Sequence, residues 1–166
     1  SSKFSSVFES AAEPLGLPLE LPGSVEVLGL LGPCQTCDTA CSATLTACHV
    51  AGASLQLREC PDALLAGVNL MLLPGLTVLM GIAGMTSLAG RSHTFDSRAD
   101  GFARSEGCCA ISLAISLASE GSPRTLRLRG SAVRQDGRSA SLTAPSGLAQ
   151  QALLLAALDN STTQPE

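Results

Sequence analysis

The sequence predicts an α/β domain, and three observations carry that prediction. Segments with strand character alternate with segments of helical spacing along the chain. Ala63 to Met71 is a near-continuous apolar run, as expected of a strand buried on both faces. Apolar residues make up 45% and charged residues 14% of 166 residues, enough apolar side chains to bury the core of one ordinary domain.

The elements follow in order. Residues 1–23, punctuated by Pro14, Pro18 and Pro22, read as loop with a short helical piece. Val25 to Leu31 is a short apolar piece that ends at the turn signal Gly32-Pro33. Cys34 to Cys37 reads as a short strand, and Asp38-Thr39 opens a long helix. In that helix Leu45, Cys48, Gly52 and Leu55 recur at helical spacing down to about Leu57, and Pro61 stops it. Ala63 to Met71 is the next strand, and Leu76 to Met85 a helix after Pro74-Gly75. Gly90 to Gly107 is a long polar loop, a type that usually serves function. Ile111, Leu113, Ile115 and Leu117 alternate with small residues as a strand, and Leu126, Leu128 and Gly130 as another. Gln135 to Pro145 is a second polar loop, and Ser146 caps a closing helix from Leu148 to Leu158.

Composition excludes several functions. The net charge is −4 and no Lys/Arg-rich run occurs, so nucleic acid is not an expected partner. With four Phe and no Trp or Tyr, a base-stacking platform is also excluded. Ala63 to Gly90 carries no charge and is long enough to span a bilayer, but Pro74-Gly75, Asn69 and Ser87 interrupt it. It reads as strand plus helix, with no membrane span. The seven Cys, an odd count without a leader or extracellular signature, read as free thiols of a reducing compartment. The expected compartment is the cytoplasm, with a plastid as the other setting.

The chemistry concentrates at Gly32 to His49, GPCQTCDTACSATLTACH. Cys41 falls where a strand gives way to a helix. A helix start offers a thiol unpaired N–H groups and the positive end of the dipole, which favour the reactive thiolate. The same amides can receive a developing oxyanion. Ala40 and Ser42 are small enough for a tight nucleophile elbow. A nucleophilic and a structural reading of Cys41 stand side by side on these features. Cys34, Cys37 and Cys41, with Cys48-His49, also offer zinc-like donors, but the second ligand pair of a zinc ribbon is missing. No metal site is therefore assigned. His49 lies eight residues past Cys41, about 12 Å along the helix, and reads as a packed core residue; His93 reads as solvent-facing.

Other residues carry structural expectations. Asp38 reads as an acid that suits the helix start. Asp96, Asp100, Arg104 and Glu106 suggest a buried paired network in a chain so poor in charge. Cys108-Cys109 read as strand core, Met71, Met80 and Met85 as core fillers, and Gly130 and Gly137 as turn residues.

Four stretches together resemble the β-ketoacyl synthases of the polyketide synthase type. They are Asp38 to Ser42 (DTACS), Ala63 to Pro74 (ALLAGVNLMLLP), Gly84 to Cys108 and Arg129 to Gln151, in that order over most of the chain. The resemblance implies a thiolase-like, five-layer αβαβα fold, of which residues 1–166 are an internal part incomplete at both ends, mostly from the N-terminal half. It implies decarboxylative Claisen condensation, with Cys41 as the acyl-thioester nucleophile and its backbone N–H as an oxyanion donor. Substrates would arrive on the phosphopantetheine of an acyl carrier protein, no cofactor would be bound directly, and the full-length domain would be a homodimer. The family's two histidine motifs, His-Gly-Thr-Gly-Thr and Asn-x-Gly-His, are not in this sequence. The residues present are therefore expected to be inactive alone. A non-condensing scaffold or a decarboxylase-like relative is the alternative, against which the presence of Cys41 speaks.

Overall fold

The computed structural model describes residues 6–12, 29–115, 126–139, 141 and 144–162, with the backbone alone for 6–12 and 162. They form two compact units, Ser1–Leu113 and Ala114–Glu166. The first holds strands β1 (Ser6–Ala12), β2 (Cys34–Thr36), β3 (Asp62–Asn69) and β4 (Gly107–Ala114), and helices α1 (Ala43–Gln56) and α2 (Gly75–Ile82). The second contains helix α3 (Gly147–Thr162).

The sheet order is β2-β1-β3-β4. β1 runs parallel to both neighbours, with Val7 opposite Cys34 and Leu64, and Ala12 opposite Asn69. This strand corrects the expected loop and helical piece over its residues. Only Val7 and Phe8 carry strand character among Ser, Glu and Ala, so pairing on both sides, not local propensity, makes the strand. The rest of the Pro-punctuated segment, residues 25–28 and Leu117 lie outside the described residues.

Helix α1 leads from β2 to β3 and packs over β1 and β3. Its buried side is Ala43, Ala47, Ala51, Ser54 and Leu55. The expected stripe is buried only in part: Leu55 lies in the core, Cys48 and Gly52 are half-buried, and Leu45 is 75% exposed. Small residues win that face because they let the helix sit low on the sheet, where Ala63 and Leu65 of β3 complete the core with Cys60.

Both helices of this unit end in the same hydrogen-bond pattern. In α2, Gly84 at φ 67° donates to the Gly81 carbonyl and Met85 to that of Met80, both at 3.0 Å. The helix therefore stops short of the expected Met85. In α1, Arg58 takes that left-handed position at φ 58°, donating to Leu55 at 3.1 Å while Glu59 donates to Ser54 at 3.0 Å. The termination precedes Pro61.

β4 is a strand as expected but is exposed along nearly its whole length, Cys108 and Cys109 included, so these are not strand core. Met71 and Met80 are only half-buried and Met85 is 54% exposed, so the methionines are not core fillers either. In the second unit, residues 126–130 form no regular secondary structure, in place of the expected strand. Gly130 serves close approach to α3 and not a turn: a Cβ there would lie 2.6 Å from the Ala157 carbonyl oxygen. Gly137, at φ 66°, takes a left-handed backbone conformation. Ser146 caps α3, its Oγ accepting from the Ala149 N–H at 3.3 Å.

Candidate active site at the start of helix α1

The chain leaves β2, turns through Asp38 and Thr39, and enters a 3-10 turn, Ala40–Ser42, that runs into α1. Cys41 thus lies beyond the carboxyl end of a strand in a parallel array, where α/β sheets bind ligands. Ala40 makes the sharp corner with φ 53°, a left-handed conformation that a non-glycine residue adopts at a cost. Its small side chain keeps that cost low and leaves the neighbouring thiol open.

A set of short hydrogen bonds fixes the corner. The Asp38 carboxylate accepts from the Ala40 N–H at 3.2 Å, so Asp38 supports the elbow as well as suiting the helix start. Ser42 Oγ lies 2.9 Å from both the carbonyl and the hydroxyl oxygen of Thr39. The Thr39 hydroxyl is in turn 3.1 Å from that of Thr46, one turn into α1. The turn's backbone bonds are donated by Ser42, to Thr39, and by Ala43, to Ala40; the Cys41 N–H donates neither. Cys41 is exposed, and among the described residues no hydrogen bond reaches its thiol.

The other thiols differ in surroundings. Cys37 and Cys48 are half-buried against the core, and burial pushes both thiols above their ordinary value. Cys60 is buried, while Cys34, Cys108 and Cys109 are exposed. Among the described residues no three His, Cys, Asp or Glu side chains converge on a metal-holding geometry. His49 is half-buried on α1; His93 is also half-buried, in the polar loop at φ 45°, and not fully solvent-facing.

The carboxyl end of β3 is tied to the start of β4. Asn69 Nδ2 donates to the Ser105 carbonyl, and the Met71 N–H to Glu106 at 2.7 Å. The polar loop folds back on the residues after α2 through a Thr86–Phe102 bridge, with Ser87 donating to Phe102 and Phe102 to Met85, each at 3.0 Å. The expected charged network does not form. Asp96 pairs with Arg98 at 2.7 Å near the surface, and this guanidinium holds the Asp96 carboxyl below its usual range. Arg104 instead donates to Thr77 Oγ1 at 3.1 Å. Asp96, Arg104 and Glu106 thus each find a separate nearby partner and do not converge on one cluster. Beside Arg104 lies a cleft of about 580 Å³ lined by Met71, Leu73, Thr77, Ser87 and Phe102.

Sequence reasoning overlooked Gly67. A Cβ there would come 2.7 Å from Thr44 Oγ1 on the first turn of α1. A glycine inside a strand pattern is itself the signal for close backbone approach. Among the described residues, no helix is long and apolar enough to cross a membrane.

Residues 23–116 match the family model described as "Beta-ketoacyl synthase, N-terminal domain". A polypeptide of the phenolphthiocerol/phthiocerol polyketide synthase of Mycobacterium tuberculosis is 45% identical over 81% of the chain. The chain spans only 6% of that relative's length. The ketosynthase from module 6 of the bacillaene synthase of Bacillus subtilis 168 superposes with a TM-score of 0.76 at 31% identity, over 92% of this chain and 30% of its own. The oxazolomycin ketosynthase domain OzmH KS7 of Streptomyces albus JA3453 superposes at 0.80 with 25% identity, over 99% of this chain and 33% of its own.

Proposed function

The chain belongs to the β-ketoacyl synthase family, and from that premise we propose that it supplies the acyl-accepting elbow of a polyketide ketosynthase, with Cys41 as the nucleophile. Its α/β architecture is part of a thiolase-like fold, as in the ketosynthase domains it superposes on. The observation that carries the reading is an exposed thiol at a helix start, beside a backbone N–H that the helix ladder does not use.

In this reading the Cys41 thiolate attacks the carbonyl of an acyl thioester on the phosphopantetheine of an acyl carrier protein. The carbonyl oxygen takes the negative charge, and the Cys41 N–H donates to it. The carbon–sulfur bond to the carrier breaks, the carrier thiol leaves, and the acyl group remains on Cys41. A malonyl-type extender then loses CO₂, and the resulting carbanion attacks the Cys41 thioester. A carbon–carbon bond forms and the Cys41 thiolate is released. Charge handling in decarboxylation falls to the two histidine motifs of the family. The full-length domain acts as a homodimer in the cytoplasm.

The test is Cys41→Ala in the full-length protein. Alanine suits a first helical turn, so the variant should keep the wild-type melting curve while acyl loading, read as a mass increase after incubation with an acyl-pantetheine thioester, disappears. Loading that survives the substitution, or a variant that no longer folds, overturns the assignment.

A further inference from the structure

A glycine inside a strand weakens it, so Gly67 within β3 calls for a reason. Its backbone needs none: its φ lies outside the left-handed range. The reason is the approach of α1. A Cβ on residue 67 would lie 2.7 Å from Thr44 Oγ1, 3.2 Å from its Cγ2 and 3.6 Å from its Cβ. The first distance is an overlap, the second a tight contact and the third an ordinary one. Ala43 and Ala47, on either side of Thr44, are 5% and 0% exposed, so the start of the helix is already seated on the sheet and cannot sink further.

Thr44 stands three residues after Cys41, in the first turn of α1. Moving Thr44 outward moves the turn that holds the Cys41 thiol and N–H. On the opposite flank, the Thr39, Ser42 and Thr46 hydroxyls clasp the corner to α1, so a displaced helix start takes the elbow with it. We propose that Gly67 is a positioning residue for Cys41, setting through its contact with Thr44 the height at which the elbow stands over the carboxyl end of the sheet. The inference rests on Cys41 being the nucleophile of the proposed function.

The test compares Gly67→Ala, Thr44→Ala and the double variant in the full-length protein. Iodoacetamide labelling of each cysteine is followed by peptide mapping, and acyl loading by mass. Gly67→Ala should slow both Cys41 readouts by about ten- to a hundredfold, the scale of an ångström-sized misplacement, while buried Cys60 stays protected. Thr44→Ala removes both the overlapping Oγ1 and the crowded Cγ2, so the double variant should regain the wild-type rates to within about twofold. Thr44→Ile presses on the same contact from the helix side and should slow Cys41 even if Gly67→Ala fails to fold.

Wild-type Cys41 rates in both Gly67→Ala and Thr44→Ile overturn the proposal. So does a double variant as slow as Gly67→Ala, or labelling of Cys60 in step with the loss at Cys41, which marks general loosening. Alkylation uses no acyl donor. If wild-type protein fails to load acyl groups while the alkylation pattern holds, the functional reading falls and the positioning role stands.

Discussion

The thiols of this chain sort by surroundings, and that ordering can be measured. Cys37 and Cys48 are held above their ordinary value of 9.0 by burial, so at neutral pH they present less thiolate than a free cysteine. Cys60 is buried outright. Cys41 is exposed at a helix start, whereas Cys34, Cys108 and Cys109 are exposed on strands. Iodoacetamide at neutral pH should therefore label Cys41 first in the full-length protein. Dominant labelling of any other cysteine in the peptide map would remove the case for its special environment. The raised thiols also predict a pH dependence. In the unfolded chain they lose protons as pH passes 9.0, while in the folded protein they keep them to higher pH. Below that window their contribution to stability is fully present, and it is lost as pH rises through the folded values. Replacing Cys48 with Ala should flatten the alkaline fall of the melting temperature; an unchanged alkaline limb would show that this thiol does not titrate differently on folding.

At the scale of the element, the two helix ends in the first unit form a natural comparison. Gly84 and Arg58 fill the same left-handed position in the same hydrogen-bond pattern. Only glycine does so without crowding its Cβ, so Arg58→Gly should stabilise the protein by about 1 kcal/mol, read by chemical denaturation. A destabilised variant would mean that the exposed arginine contributes more than its backbone costs. The start of α3 supplies the opposite case. Ser146 accepts from Ala149, and its own N–H donates to Asp136 at 2.8 Å. Ser146→Ala should cost about 1 kcal/mol and raise amide exchange in the first turn of α3. These elements show what was legible in the sequence. α1, α3, β2 and β3 were, because capping residues, turn signals and apolar runs are local. β1 was not, since two neighbours make it a strand, and residues 126–130 were misread because alternation without a partner yields no sheet. The elbow at Cys41 was legible from its small flanking residues. The seating of α1 by Gly67 and Thr44 was not, because it joins residues far apart in sequence.

At the scale of the whole chain, the decisive feature is the chemistry absent from the elbow. Condensation requires a nucleophile, an oxyanion donor and groups that handle charge as CO₂ leaves. In the proposed function the chain supplies the first two at Cys41. Of its two histidines, His49 lies about 12 Å along the helix, and among the described residues no hydrogen bond links either one to the Cys41 thiol. Apolar side chains point the same way: Leu79, Ile82 and Leu88 in one unit, and Leu148, Leu154 and Leu158 in the other, are each more than half exposed. Surfaces of this kind drive association. The chain covers 30% of the bacillaene ketosynthase it superposes on, so that enzyme has further chain with which to complete its site. The 166 residues by themselves should therefore give no β-ketoacyl product when supplied with acyl- and malonyl-loaded carrier protein, and should self-associate in light scattering. Product detected by mass spectrometry from the purified chain would refute this, because a complete site would then have to lie between Ser1 and Glu166.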